Sequence, residues 1–148
     1  MSTANHVTFP QTLAVKNHCL CLATQRAARA LARRFDEAFR PLGLTSGQFS
    51  MLMALNRPEP PPLGPVAELL AMDRTTLTAN LKPLERKGLI RSLPNPRDKR
   101  SRLLHLTDEG KALLVKAYDI WIGEHGALDS EIGKETGERL RRDLALLA

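Results

Sequence analysis

With 148 residues, 43% of them apolar, the chain has the size of one domain and the means to build a core, and no apolar run approaches bilayer length, so no membrane partner is expected. Twenty-two Lys and Arg against sixteen Asp and Glu leave +6 at neutral pH, which points to nucleic acid, while 4% aromatic content argues against a single-strand binder that stacks bases. The first fifteen residues hold no basic segment ahead of an apolar one, so no secretory leader is expected and the setting is read as cytoplasmic.

Residues 1–11 (MSTANHVTFPQ) show little periodicity and read as an arm, mobile or packed on a partner subunit. Residues 12–40 predict one long helix: Leu20, Ala23, Ala27, Leu31, Phe35, Ala38 and Leu42 share a stripe, and Pro41 and Gly43 stop it. Thr45 or Ser46 can cap a second helix with Phe49, Leu52, Met53 and Leu55 on its inner face. Residues 57–65 hold five prolines in nine positions, a stiff linker. Val66, Leu69 and Leu70 then build a short third helix, and Ala71-Met72 forms the tight turn into the next.

The charge excess is concentrated in residues 73–102, where nine Lys or Arg face three acids. Asp73 is a good N-cap, and Leu77, Leu81 and Leu84 recur at steps of four and three on one stripe of a helix. Arg74, Thr75, Thr76, Thr78, Ala79, Asn80 and Lys82 are left facing away or on the flank. Short hydroxyls, an amide and two cations suit a major groove, because the helix axis can approach closely and the longer groups can pair base edges. Pro83 predicts a bend or loosened turn around 79–82, and Gly88 ends the helix.

Strands are expected at 89–93 and 102–106, joined by a polar loop over 94–101. A helix followed by a basic hairpin is a winged helix, whose tip would carry Arg97, Lys99 and Arg100 along the DNA backbone. Asp98 would repel phosphate, so its expected role is to orient Arg100 through a charge-assisted pair. Thr107 then caps a helix from Asp108 to about Ile122, with Leu113, Leu114, Ala117, Ile120 and Trp121 on one side. Gly123 and Gly126 are expected to break it, and a last helix from about Asp129 turns Ile132, Leu140, Leu144 and Leu147 inward.

The fold class is therefore mainly α with a small β-hairpin. A winged helix-turn-helix module over 44–107 is carried by dimerisation helices over 12–42 and 108–148, within a single domain spanning 1–148. The flanking helices hold more apolar surface than a lone winged helix can bury, so a homodimer is expected. Its operator would be pseudo-palindromic, with half-sites roughly 10 bp apart.

No nucleophile–base pair, Gly-rich phosphate loop or paired carboxylates suggest an enzyme, and no cofactor is expected. His18, Cys19 and Cys21 lack a fourth ligand and the usual spacing for a metal site. On one continuous helix Cys19 and Cys21 would point about 200° apart, which disfavours a disulfide, and the plain reading is two small buried side chains. His6, His105 and His125 are scattered and read as surface or hairpin histidines.

Several pieces together resemble the MarR family of bacterial transcription regulators: the run from Asp73 through Leu89-Ile90, Pro-Arg-Asp-Lys-Arg at 96–100, His-Leu-Thr-Asp-Glu-Gly at 105–110, and Leu-Thr-Ser-Gly-Gln-Phe at 44–49. The resemblance spans roughly residues 13–148; Asn95 stands where the family often has Asp, and Pro83 is unusual. It implies a double-stranded DNA-binding repressor, released by a small aromatic or phenolic ligand held between the frame and the DNA module. Candidate lining residues are His18, Leu22, Gln25, Phe49, Met53 and Trp121, although Met and Trp at helical spacing more often belong to a core. Leu20-Cys21-Leu22-Ala23 resembles the place where the organic-peroxide-sensing branch keeps its reactive cysteine. Thiol-based sensing through Cys21 is thus one alternative, and an architectural DNA-binding protein without an effector is another.

Overall fold

The structure is a computed structural model that describes residues 5–148; the N-terminal arm's first four residues lie outside the described residues. Its elements are α1 (Phe9–His18), α2 (Leu20–Phe39), α3 (Ser46–Leu55), α4 (Leu63–Leu69), α5 (Arg74–Arg86), β1 (Ile90–Asn95), β2 (Asp98–Leu106), α6 (Asp108–Ile132) and α7 (Lys134–Leu144).

The long first helix expected from periodicity is two helices. The first starts early, because Thr8 and Gln11 form a reciprocal capping box: Gln11 Oε1 accepts the Thr8 N–H at 2.9 Å, and Thr8 Oγ1 accepts the Gln11 N–H at 3.4 Å. Residues 9–11, expected as arm, are therefore helical. The break falls at Cys19, which leaves the helical region (φ −77°, ψ 110°) and caps α2 through its Sγ, accepting the Leu22 N–H at 3.4 Å. Cys19 is half-buried and Cys21 exposed, so neither is the buried packing residue anticipated, and the continuous-helix argument about the pair no longer applies.

Beyond Gly43 (φ +66°), α3 is capped twice. Thr45 and Gln48 form a second capping box, and Asp36 of α2 accepts the Ser46 N–H at 2.6 Å. Phe49, Met51, Leu52, Ala54 and Leu55 are buried, whereas Met53, expected inward, faces out. Phe49 packs on Phe39 of α2 with ring centroids 4.7 Å apart. The proline linker is drawn onto the hairpin: Pro61 O accepts the Leu104 N–H at 2.9 Å, and Pro62 bridges Leu103. In α4, Val66 and Ala67 are buried and Leu69 points to solvent. Ala71 then adopts φ +49°, a left-handed turn that costs a non-glycine residue about 1 kcal/mol.

Helix α6 runs unbroken through Gly123 and Gly126 for 25 residues, so the predicted break does not form; the chain turns instead at Gly133 (φ +88°). A helical glycine costs only about 1 kcal/mol, and this segment is stapled from outside. Arg34 of α2 donates to Glu124 at 2.6 Å and to Glu131 at 2.7 and 2.9 Å, spanning the glycine region. Those bonds raise the Arg34 pKa and hold the Glu131 carboxyl below its ordinary value. Trp121 lies between Tyr118 and His125, at centroid distances of 5.9 and 4.9 Å.

One joint ties the hairpin, the end of α5 and the start of α6 together. Thr107 Oγ1 donates to Gly88 O at 2.6 Å and accepts the Gly110 N–H at 3.0 Å, while the Thr107 N–H donates to Leu89 O at 3.0 Å. Gly110 is required here: a Cβ at this position would stand 2.0 Å from Leu89 O. The Leu-Thr-x-x-Gly motif is thus a packing device as well as a helix cap.

The core joins α2 to α6 through Phe39, Leu52, Val66, Leu77, Leu84 and Ala117, all essentially inaccessible. Neither end of the chain contributes much to it. Helix α1 buries no side chain, and α7 buries only Gly137. Ile132, Leu140, Leu144 and Leu147, expected inward, are exposed on the subunit. Among the described residues, no helix is long and apolar enough to cross a membrane.

Candidate nucleic-acid interface

Helix α5 is positioned from both ends and from beneath. At its start the Asp73 carboxylate accepts from Thr76 Oγ1 at 2.7 Å and from the Thr76 N–H at 2.8 Å, and these bonds lower the Asp73 pKa in that order of importance. At its end Gly88 (φ +74°) lets the Leu89 N–H return to Leu84 O at 3.0 Å, and Lys87 Nζ reaches Gly43 O at 3.1 Å. Beneath it, Leu77, Leu81 and Leu84 are buried, each contributing roughly 2 kcal/mol by leaving water.

That arrangement leaves Arg74, Thr75, Thr76, Thr78, Ala79, Asn80 and Lys82 all exposed, as the spacing predicts. Thr76 donates its hydroxyl proton to the cap, and Asn80 Nδ2 makes only a long contact of 3.8 Å to Met72 Sδ. Pro83 lies within the helix, which continues past it to Arg86. Its missing donor frees the Ala79 carbonyl, which sits on the exposed face where water can bond it.

The wing is a longer hairpin with a tighter turn than anticipated. β1 extends to Asn95 and β2 begins at Asp98, leaving Pro96 and Arg97 at the tip. Two side chains make this possible: Asn95 Oδ1 accepts the Arg97 N–H at 3.0 Å, and Asp98 Oδ1 accepts the Arg100 N–H at 3.0 Å. Asp98 therefore shapes the backbone and does not pair with the Arg100 guanidinium, a correction to the expected charge pair. Asn95 makes the same kind of turn as Asp98, so its departure from the family pattern leaves the tip intact. The ladder pairs Pro94 with Arg102 and then Asn95 with Asp98, so Lys99, Arg100 and Ser101 bulge with no residue opposite. Arg97, Lys99 and Arg100 are all exposed.

Between helix and wing lies a cleft of about 580 Å³, with Arg74, Thr78 and Lys82 on one wall and Ser92, Arg100 and Arg102 on the other. Arg102 was counted in the basic stretch but given no role by sequence reasoning. Its place opposite Pro94 and diagonal to Ser92 follows from the pairing register.

The six residues expected around a ligand differ in burial within one subunit. Phe49 is buried, Leu22 and Trp121 are half-buried, and His18, Gln25 and Met53 are exposed. Met53 lines a hollow of about 430 Å³ with Asn56, Lys111, Leu114, Val115, Tyr118 and Asp119, between α3 and α6.

A helix-turn-helix whose second helix turns a polar, short-chained face outward, with a basic hairpin alongside, defines a winged-helix DNA-binding protein. The MarR family model matches residues 44–101. The organic hydroperoxide resistance transcriptional regulator of Bacillus subtilis is 31% identical over 83% of this chain and 80% of its own length. Among solved structures, the Mycobacterium tuberculosis transcriptional regulator MosR in complex with DNA is 38% identical, with 88% of this chain and 93% of that one covered and a TM-score of 0.80. A mutant Escherichia coli MarR complexed with operator DNA is 25% identical over 91% and 97% of the two chains, with a TM-score of 0.81. The chain belongs to the MarR family. Its matched relatives are transcription regulators, and their DNA complexes support double-stranded DNA as its partner.

Proposed function

We propose that the chain is a sequence-specific repressor that binds a pseudo-palindromic operator as a homodimer. The observation that carries this reading is the exposed polar face of α5 set beside the cationic wing across one cleft. The homodimer is supported by the uncovered apolar side chains at both chain ends, from Phe9 at 72% exposure to Leu140 and Leu144 at 47% each. Selection of bound duplexes from random DNA tests it. The expected product is a palindrome with half-sites about 10 bp apart, bound roughly a thousandfold or more over random duplex. Recovery of no shared sequence would instead favour the architectural alternative. Thr78→Ala or Asn80→Ala should relax base preference at one position per half-site by about 1–3 kcal/mol.

The hollow beside Met53 supports a small aromatic effector: its floor is Leu114 and Val115, its side Tyr118, and Lys111 supplies a cation for an acid group. His18, Leu22, Gln25, Phe49 and Trp121 remain proposed ligand contacts outside this hollow. Release of the selected duplex by an aromatic acid such as salicylate tests this, and unchanged DNA affinity at saturating acid rules it out for that class.

A second reading, thiol-based sensing, is favoured by the exposure of Cys21 in the first turn of α2, next to Cys19 at the cap. Iodoacetamide labelling of the native protein at neutral pH tests it; absence of preferential labelling at Cys21 removes it.

A further inference from the structure

Among the described residues of the cleft, Arg102 is the cation whose guanidinium is held by the wing's other strand. It lies on β2 diagonal to Ser92 of β1, since Ser92 pairs with Leu104 and Arg102 with Pro94. Arg102 Nε donates to Ser92 Oγ at 2.7 Å, and Nη2 donates to Ser92 O at 2.8 Å. A guanidinium has five N–H groups, so three remain free, and no carboxylate among the described residues pairs with it. Glu85 and Asp98 also line the cleft, but Arg74, Lys82, Arg100 and Arg102 outnumber them, and Asp98 Oδ1 is taken by the Arg100 N–H.

When α5 lies in a major groove and the wing tip reaches the neighbouring minor groove, one sugar–phosphate strand must pass between them, through this cleft. A tethered, planar guanidinium with free donors suits phosphate oxygens on that strand, and it loses less freedom on binding than an unheld arginine. We propose that Arg102 is a further DNA-contacting residue, gripping backbone phosphate in the cleft between recognition helix and wing, with Ser92 as its positioning residue. This rests on the DNA-binding reading above and adds a contact to it.

The test uses the full chain and a labelled mixed-sequence duplex of about two helical turns, titrated at several KCl concentrations. Arg102→Ala should weaken binding roughly tenfold at low salt and make the salt slope shallower by about one per subunit. Ser92→Ala, which keeps the charge, should leave the slope unchanged and weaken binding roughly threefold, and Ser92→Thr should restore wild-type affinity. Arg102→Ala with affinity within about twofold of wild type and an unchanged slope overturns the proposal, provided Arg100→Ala alters both. A lowered melting temperature with an unchanged slope also overturns it, because Arg102 would then only cross-link the hairpin. If the wild-type protein ignores the duplex at low salt, the DNA-binding reading fails together with this one, a distinguishable result.

Discussion

Helical spacing in the sequence picks out three leucines under α5 and three apolar residues near the C-terminus, and the two sets meet opposite fates. Leu77, Leu81 and Leu84 are buried within the subunit, while Ile132, Leu140 and Leu144 stay 39–47% exposed. The DNA-binding module closes over its own apolar stripe; the flanking helices leave apolar side chains uncovered near each end of the chain. Periodicity therefore identifies a face that must leave water, but it does not say whether the same chain or another copy covers it.

The largest break in that comparison should come from the joint inside the module. Gly110→Val places side-chain carbon where Leu89 O already stands and should destabilise the protein by about 4 kcal/mol or more, measured by urea unfolding. Leu77→Ala should cost about 3 kcal/mol by the same measurement, with the oligomeric state unchanged by light scattering. Leu140→Glu combined with Leu144→Glu should invert the pattern: the subunit keeps its circular dichroism spectrum, while association weakens by roughly 2 kcal/mol per leucine. An unaltered molecular mass at low protein concentration would show that α7 is not part of the contact.

The smallest effect concerns acid. The folded-state pKa of Asp73 lies below the ordinary 3.8, so the stability its cap contributes is complete above that value. It is lost as pH falls through the lowered pKa, and Glu131, held down by Arg34, has the same sign. Melting temperature should therefore drop on acidification through this window. Asp73→Asn, which still caps, should show a smaller drop.

The module was the legible part of the sequence because its signals are local and of standard type: an Asp cap, a leucine stripe, a glycine stop and a threonine cap. What sequence missed depended on less usual partners. Cysteine is an uncommon N-cap, so nothing in the 12–40 pattern announced that Cys19 divides the helix. Gly123 and Gly126 looked like breakers because the Arg34 staple that spans them comes from some ninety residues earlier in the chain. The wing loop looked long because its residues are turn-rich, whereas Asn95 and Asp98 each tighten it by taking a backbone N–H two residues on. The exposed face of α5 followed directly from its buried one, but Arg102 required the pairing register, which the residue pattern does not specify.

The Thr107 hydroxyl, held between Gly88 and Gly110, has a mechanical consequence. With Gly110 seated against Leu89, the base of the frame helix is bolted to the hinge end of the reader, leaving no slack between them. A tilt of α6 would therefore carry the end of α5 and the start of the wing with it, as one lever. In a paired molecule, a signal received in the frame would change the distance between two intact levers, and so the fit to half-site spacing, without reshaping either one.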